Sequence, residues 1–255
     1  MTWEFLSIAH IASLVLAATI IFALYFALKN KTEKTQIWTL GVLSLSGVIA
    51  IIYNLVAWNS PLEYLPLHLC SLNALVLPFA VFTRNKHLNN LLLLWSIGAL
   101  LAIVVNHTMA HINVFSWTFV MFFFPHVLEF GIPVLMFALG LVKKDVKCIK
   151  WTIVITMVSY TFIHWINIAL NAYLCNNNVV DYAGRLIQVN YMFSIIPDNP
   201  IFALFYQLVP YEYWYMYMAI PIMIVYLGIV YAKEIKDEIG VRIVKETANH
   251  THNSF

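Results

Sequence analysis

Three kinds of side chain in this sequence could do covalent chemistry if they met: a thiol, an imidazole and a carboxylate. Cys70 closes the run Leu65-Pro66-Leu67-His68-Leu69-Cys70, and His126 follows Pro125 in a separate apolar stretch. A thiol becomes a nucleophile when a base lies within reach. A lone cysteine in an apolar helix is otherwise an inert small hydrophobe, the reading that fits Cys148 and Cys175. His68 is a poor partner for Cys70, because residues two apart on a helix point to different faces, whereas Asn73 shares the cysteine's face. Pro125 leaves the carbonyl of Met121 without its helical donor, so a His126 bonded to that carbonyl is the structural alternative to a base. Glu129 is the only acid deep within an apolar stretch, and it has three readings: it orients an imidazole, carries a proton, or stays protonated as a packing residue. His164, Asn167 and Asn171 form a stripe at helical spacing, suited either to chemistry or to hydrogen bonding between helices. His68, His126, Glu129 and His164 are zinc-type ligands, yet no pair has the His-x-x-x-His or Glu-x-x-His spacing that fixes ligands on one helix. No metal or other cofactor is expected.

The elements that must position these residues follow from composition. Of 255 residues 62% are hydrophobic and 10% charged, with a mean hydropathy of +0.80. Soluble chains carry about 25% charged residues, so soluble, disordered, collagenous and nucleic-acid-binding classes drop out together. Three cysteines are too few for a disulfide scaffold. Seven windows are long and apolar enough to span a bilayer, at about 5–28, 37–58, 61–82, 90–106, 119–142, 151–175 and 213–232. The third is expected to start at Ser60, where Pro61 and Glu63 complete a capping pattern, with Pro66 allowing a later start. Lysine and arginine mark the cytoplasmic side. They cluster at residues 29–36, 83–89 and 143–150 and in the tail, leaving only Arg185 of the 14 basic residues on the other side. The expectation is an all-α polytopic membrane protein with seven transmembrane helices, N-terminus outside and C-terminus inside. Residues 1–232 would form one domain and 233–255 a polar cytoplasmic tail. The first window lacks a basic leading region and is long for a signal peptide.

Within these windows the polar residues choose a side. His10, Asn54, His68, Cys70, Asn73, Asn106, His126, Glu129, His164, Asn167 and Asn171 all lie in the outer or middle part, and the inner halves hold only Asn90 at a boundary. Interhelical glue has no reason to choose a side, so a single polar cavity open to the outer leaflet is expected. Cys70 would lie roughly 6–14 Å and His126 roughly 10 Å below the outer ends of their helices. His10 and Asn54 read as supporting residues, and His107, His111, His250 and His252 as solvated surface. The outer segment 176–212 is long for a connection and broken by Pro197, Pro200 and Pro210. It reads as an interfacial segment with a short helix over Ile201–Leu208, serving either as an aromatic belt or as a lid over a lipid portal.

Pro66-Leu67-His68-Leu69-Cys70, Phe124-Pro125-His126 and the run from Asn167 through Val189-Asn190-Tyr191-Met192 to Pro197 resemble the YwaF-like integral membrane family. The resemblance covers most of the chain in the expected order. It implies relatives that are cysteine-dependent acyltransferases, moving fatty acyl chains between phospholipids and lysophospholipids, including ether lysophospholipids. The catalytic pair would fall on Cys70 and His126, 56 residues apart, with His68, Asn73, Glu129, His164, Asn167, Asn171, Asn190 and Tyr191 in supporting or substrate-binding roles. Ser71 follows the cysteine where close bacterial relatives are expected to carry Asp or Asn. The expected reaction is acyl transfer through a Cys thioester in the plasma membrane, with Asn73, Asn171 or His68 donating to the oxyanion. A small transporter or solute-binding protein with an outward polar cavity is one alternative, and a lipid hydrolase another.

Overall fold

The computed structural model describes residues 2–58, 61–105, 111–181 and 184–241. Its regular structure is helical: α1 (Ile8–Leu28), α2 (Glu33–Ala57), α3 (Leu69–Thr83), α4 (Lys86–Val105), α5 (Trp117–Ala138), α6 (Lys147–Asn176), α7 (Pro200–Leu208) and α8 (Ala219–Val230). Hydroxyl caps start several of them, with Ser7, Thr32 and Ser116 accepting from the amides of His10, Thr35 and Phe119. Such bonds satisfy amides that have no partner within the helix. α1, α2, α4, α5 and α6 are each long and apolar enough to cross a membrane.

The other two windows are less regular. α3 begins only at Leu69 and has 15 residues, later than either start expected from the sequence; Ser60 lies outside the described residues. Pro66 drives Leu65 out of helical conformation, and the preceding segment is held from outside. The Tyr191 hydroxyl donates to the Leu62 carbonyl, and the Met192 amide donates to His68 Nδ1 at 3.3 Å. In the last window a 3₁₀ turn, Trp214–Met218, leads into α8. The chain then bends by 73° into a further helix, Ala232–Val241; counted as one span, the bent pair raises the candidate spans to six. The tail therefore begins as helix, and Arg242, Lys245, His250 and His252 lie outside the described residues, as do Asn106 and His107.

α2, α3, α4 and α5 form the centre, with α1 against α5 and α6 against α4. Leu77, Val81, Leu92, Ile132 and Met136 are fully buried there. Small residues let the backbones approach: Gly47 faces Ala74 so closely that a Cβ would lie 2.6 Å from the alanine Cβ. Around this centre Ile8, Phe22, Phe162, Trp165 and Ile229 stay more than half exposed, an apolar girdle that a soluble protein could not sustain. At the lysine-rich end, Lys86 Nζ meets Asp145 Oδ2 at 2.6 Å and Arg84 pairs with Glu33. Lys86 and Asp145 hold the starts of α4 and α6 side by side. The opposite end, where α3 and α5 begin, carries the segment expected to lie outside, here called the outer segment, and its short helix α7, capped by Asn199 with Pro200 in the first turn.

Candidate active site

A slot of about 50 Å³ lies between α2, α3 and α5 and contains Cys70, Ser71, His126 and Glu129 in its walls. Helical spacing explains its shape. Thr118, Phe122, Pro125 and Glu129 fall on one stripe of α5, and Gly47, Ala50, Ile51 and Asn54 on one stripe of α2. The α5 stripe rises about 16 Å over eleven steps and the α2 stripe about 10 Å over seven, from a rim at Asn54 and Thr118 to Gly47 and Glu129. Cys70 and Ser71 enter from the first turn of α3. The volume suits a few water molecules or a single ester group, not an acyl chain.

The thiol sits against the donors of the first turn, with the amides of Cys70 and Ser71 and the Ser71 hydroxyl directed at its sulfur. The amides of Leu69, Cys70 and Ser71 lie in the first turn and have no acceptor within the helix, and the His68 side chain makes no capping bond. The first amide to bond back is that of Leu72, to the His68 carbonyl at 2.9 Å. A helix N-terminus is a ready place for developing negative charge.

His126 Nδ1 lies 2.7 Å from the Phe122 carbonyl oxygen. A carbonyl only accepts, so in the neutral ring Nδ1 carries the proton and Nε2 keeps a lone pair. The partner is thus Phe122 rather than Met121, and the bond fixes the tautomer a general base requires. The ring packs over Phe122 with centroids 4.3 Å apart. Among the described residues no hydrogen bond joins His126 to Cys70; what they share is the slot.

Glu129 is 5% exposed, and among the described residues its Oε2 has no hydrogen-bond partner. Its Oε1 lies where a Cβ on Gly47 would come within 2.7 Å, so the glycine makes room for the carboxyl. The Glu129 backbone has a separate role. Pro133 cannot supply the amide that the Glu129 carbonyl would accept from, and Asn73 Nδ2 donates to that carbonyl instead, at 3.0 Å. Asn73 is thereby a pin between α3 and α5.

The remaining candidates gather elsewhere, so the single polar cavity expected from depth is two separate groups. Asn167 Nδ2 donates to the Tyr191 carbonyl and its Oδ1 accepts from the Tyr191 amide, at 2.8 and 3.0 Å. Asn171 makes the same pair of bonds with Val189, at 2.9 and 2.8 Å. The match is geometric: four residues of helix rise about 6 Å, close to two residues of extended chain. Asn167 also donates to Ser194 Oγ, which lies 3.0 Å from His164 Nδ1. Asn190 folds the following turn by donating to the Ile196 carbonyl and accepting from the Ile195 and Ile196 amides. Tyr191, 1% exposed, packs edge-on against His68. His68, His164, Asn167, Asn171, Asn190 and Tyr191 therefore build the outer segment and fasten it to α6 and to the start of α3.

His10 is fully buried away from the slot, donating from Nε2 to the Ile103 carbonyl at 2.8 Å and accepting from the Leu6 amide at Nδ1. His111 is exposed at the surface. Among the described residues no three His, Cys, Asp or Glu side chains converge to hold a metal ion. Sequence reasoning missed Thr118 as a rim residue and the Pro133–Asn73 relation. A proline four residues after an intramembrane acid was the available signal for the second.

No curated protein and no solved structure matches the chain. The model of the TMEM164 family matches residues 5–231.

Proposed function

The chain belongs to the TMEM164 family, and for this member we propose a membrane-embedded acyltransferase that moves a fatty acyl chain between phospholipid and lysophospholipid through a thioester on Cys70. The observation that carries the reading is the shared slot: a thiol from α3 and an imidazole from α5 line one small polar space, and the imidazole's lone pair is at the free nitrogen. The likeness of the Pro66–Cys70 and Phe124–His126 runs to the YwaF-like family supports it further. In this reading the chain crosses the plasma membrane seven times, N-terminus outside and C-terminus inside, with α3 and the bent pair completing the five long helices. The lysine placement supports that orientation.

Nε2 of His126 takes the proton of Cys70 Sγ as the sulfur attacks the ester carbonyl of a donor phospholipid. The tetrahedral oxyanion forms beside the first-turn amides of α3, a form of stabilisation often worth about 3 kcal/mol. Collapse expels the lysolipid oxygen, which takes the proton back from the imidazolium and leaves the acyl chain on sulfur. The hydroxyl of an acceptor lysolipid then gives its proton to Nε2 and attacks the thioester, and the thiolate leaves and is reprotonated. The acyl chain itself stays in the surrounding lipid.

Purified protein incubated with labelled phospholipid should gain the mass of one acyl group, removable by neutral hydroxylamine. Cys70→Ala should abolish the adduct, and His126→Ala should slow it by about 10²–10⁴-fold. Turnover with no adduct on the wild-type protein, or unchanged turnover in Cys70→Ala, overturns the reading. Accumulation of free fatty acid in place of transfer would mark a hydrolase, and solute uptake into liposomes by Cys70→Ala a carrier.

A further inference from the structure

A second thiol and imidazole meet at the other end of the molecule. Cys148 Sγ lies 3.6 Å from His87 Nδ1. Both line a groove of about 320 Å³ between α4 and α6, His87 exposed and Cys148 3% exposed, with Leu91, Trp151, Thr152 and Ile155 as the other lining residues. That volume falls at the lower end of small-molecule sites.

The groove has a direction. Cys148, Trp151, Thr152 and Ile155 lie at i, i+3, i+4 and i+7 on α6, and His87 and Leu91 at i and i+4 on α4, so each set forms one face of its helix. The Lys86–Asp145 pair, 2.6 Å, holds the two helix starts side by side. The bond from Trp95 Nε1 to Thr156 Oγ1, 2.9 Å, draws the helices together just beyond Leu91 and Ile155. Between these two fastenings runs an apolar trough about 10 Å long, with the buried sulfur in its wall at the lysine-rich end. Lys143, Lys147 and Lys150, within five residues of Cys148 in the chain, are exposed, a setting complementary to an anionic carrier group.

The geometry points to Cys148 as an S-acylation site, taking a long chain from an anionic fatty acyl thioester of the coenzyme A type and laying it in the α4–α6 groove. His87 accepts the thiol proton as the sulfur attacks the thioester carbonyl. The new sulfur–carbon bond forms, the bond to the carrier sulfur breaks, and the departing thiolate takes the proton from His87. His87 is exposed, so its proton exchanges with solvent. This site is independent of the chemistry at Cys70.

The test uses the full chain carrying Cys70→Ala, so that failure at one sulfur is not read as failure at the other. Incubated with alkyne-labelled palmitoyl coenzyme A, it should gain one hydroxylamine-labile acyl group, located on the peptide containing Cys148. Cys148→Ser should lose the label at an unchanged melting temperature, and His87→Ala should slow labelling roughly a hundredfold. Ile155→Trp, which fills the trough, should reduce palmitoyl labelling at least tenfold while iodoacetamide still alkylates Cys148. No label on the Cys70→Ala chain, label on Cys175 instead, or equal labelling by acetyl coenzyme A and in Ile155→Trp would overturn the proposal.

Discussion

Asn73 and Pro133 show how one polar side chain can repair a helix. Asn73 supplies the Glu129 carbonyl with the donor that Pro133 lacks, so its loss leaves a buried acceptor unpaired. Asn73→Ala should destabilise the protein by about 1–3 kcal/mol. Pro133→Ala restores a helical amide at that carbonyl, and in that background Asn73→Ala should cost distinctly less. Thermal unfolding of the four proteins in detergent gives the coupling, and equal costs in both backgrounds would remove the explanation. At this scale the sequence was informative about Cys70, His126 and Glu129, because apolar surroundings make each conspicuous and depth can be counted along a helix. It was uninformative about Asn73, whose spacing from Cys70 implied a shared task. Spacing says which residues share a face of their own helix and cannot say which neighbour meets that face.

Among the elements, the outer segment depends most on α6. Asn167 and Asn171 each form a two-bond pair with the backbone of Tyr191 and Val189, so either replacement by Ala frees both a donor and an acceptor. Each should open residues 184–199 to limited proteolysis while leaving the helical circular dichroism of the membrane domain intact. Reaction of Cys70 with a small alkylating reagent should persist in both, since neither residue lines the slot. A comparable loss of Cys70 reactivity would place the stripe in the site after all. Gly47 belongs to the same scale: Gly47→Val drives a side chain into Ala74 and the Glu129 carboxyl, and should spread α2 from α3 and abolish turnover. The sequence revealed the long helices through apolar length alone, and α7 through its proline and flanking residues. It misplaced the start of α3 because Ser60, Pro61 and Glu63 imitate a cap, whereas Pro66 and the Tyr191 and Met192 contacts decide the local fold.

For the whole molecule, charge placement makes the orientation testable. In a variant without Cys175, cysteines introduced at Lys31 and Lys143 should react with an impermeant maleimide only after the cells are opened. One at Arg185 should react on intact cells. The lysine-rich end also carries a pH dependence. The Lys86 ammonium and the Lys147 amide hold the Asp145 carboxyl below the usual carboxylate range. A carboxyl depressed in the folded state stabilises above its unfolded value and loses that contribution as pH falls through the folded one. The melting-temperature gap between wild type and Asp145→Asn should therefore be small but present at pH 6 and close as pH falls below about 4. A gap that widened on acidification would contradict the sign. The brevity of α3 also bears on the surrounding bilayer. As a span in the proposed seven-helix arrangement, its 15 residues cover about 22 Å against roughly 30 Å of hydrocarbon, and lipids beside an undersized helix compress to match it. The leaflet should dimple over the sulfur, lowering the glyceryl esters toward it with no protein movement. Turnover in vesicles should then rise as their acyl chains are shortened and fall in thick, sterol-rich membranes.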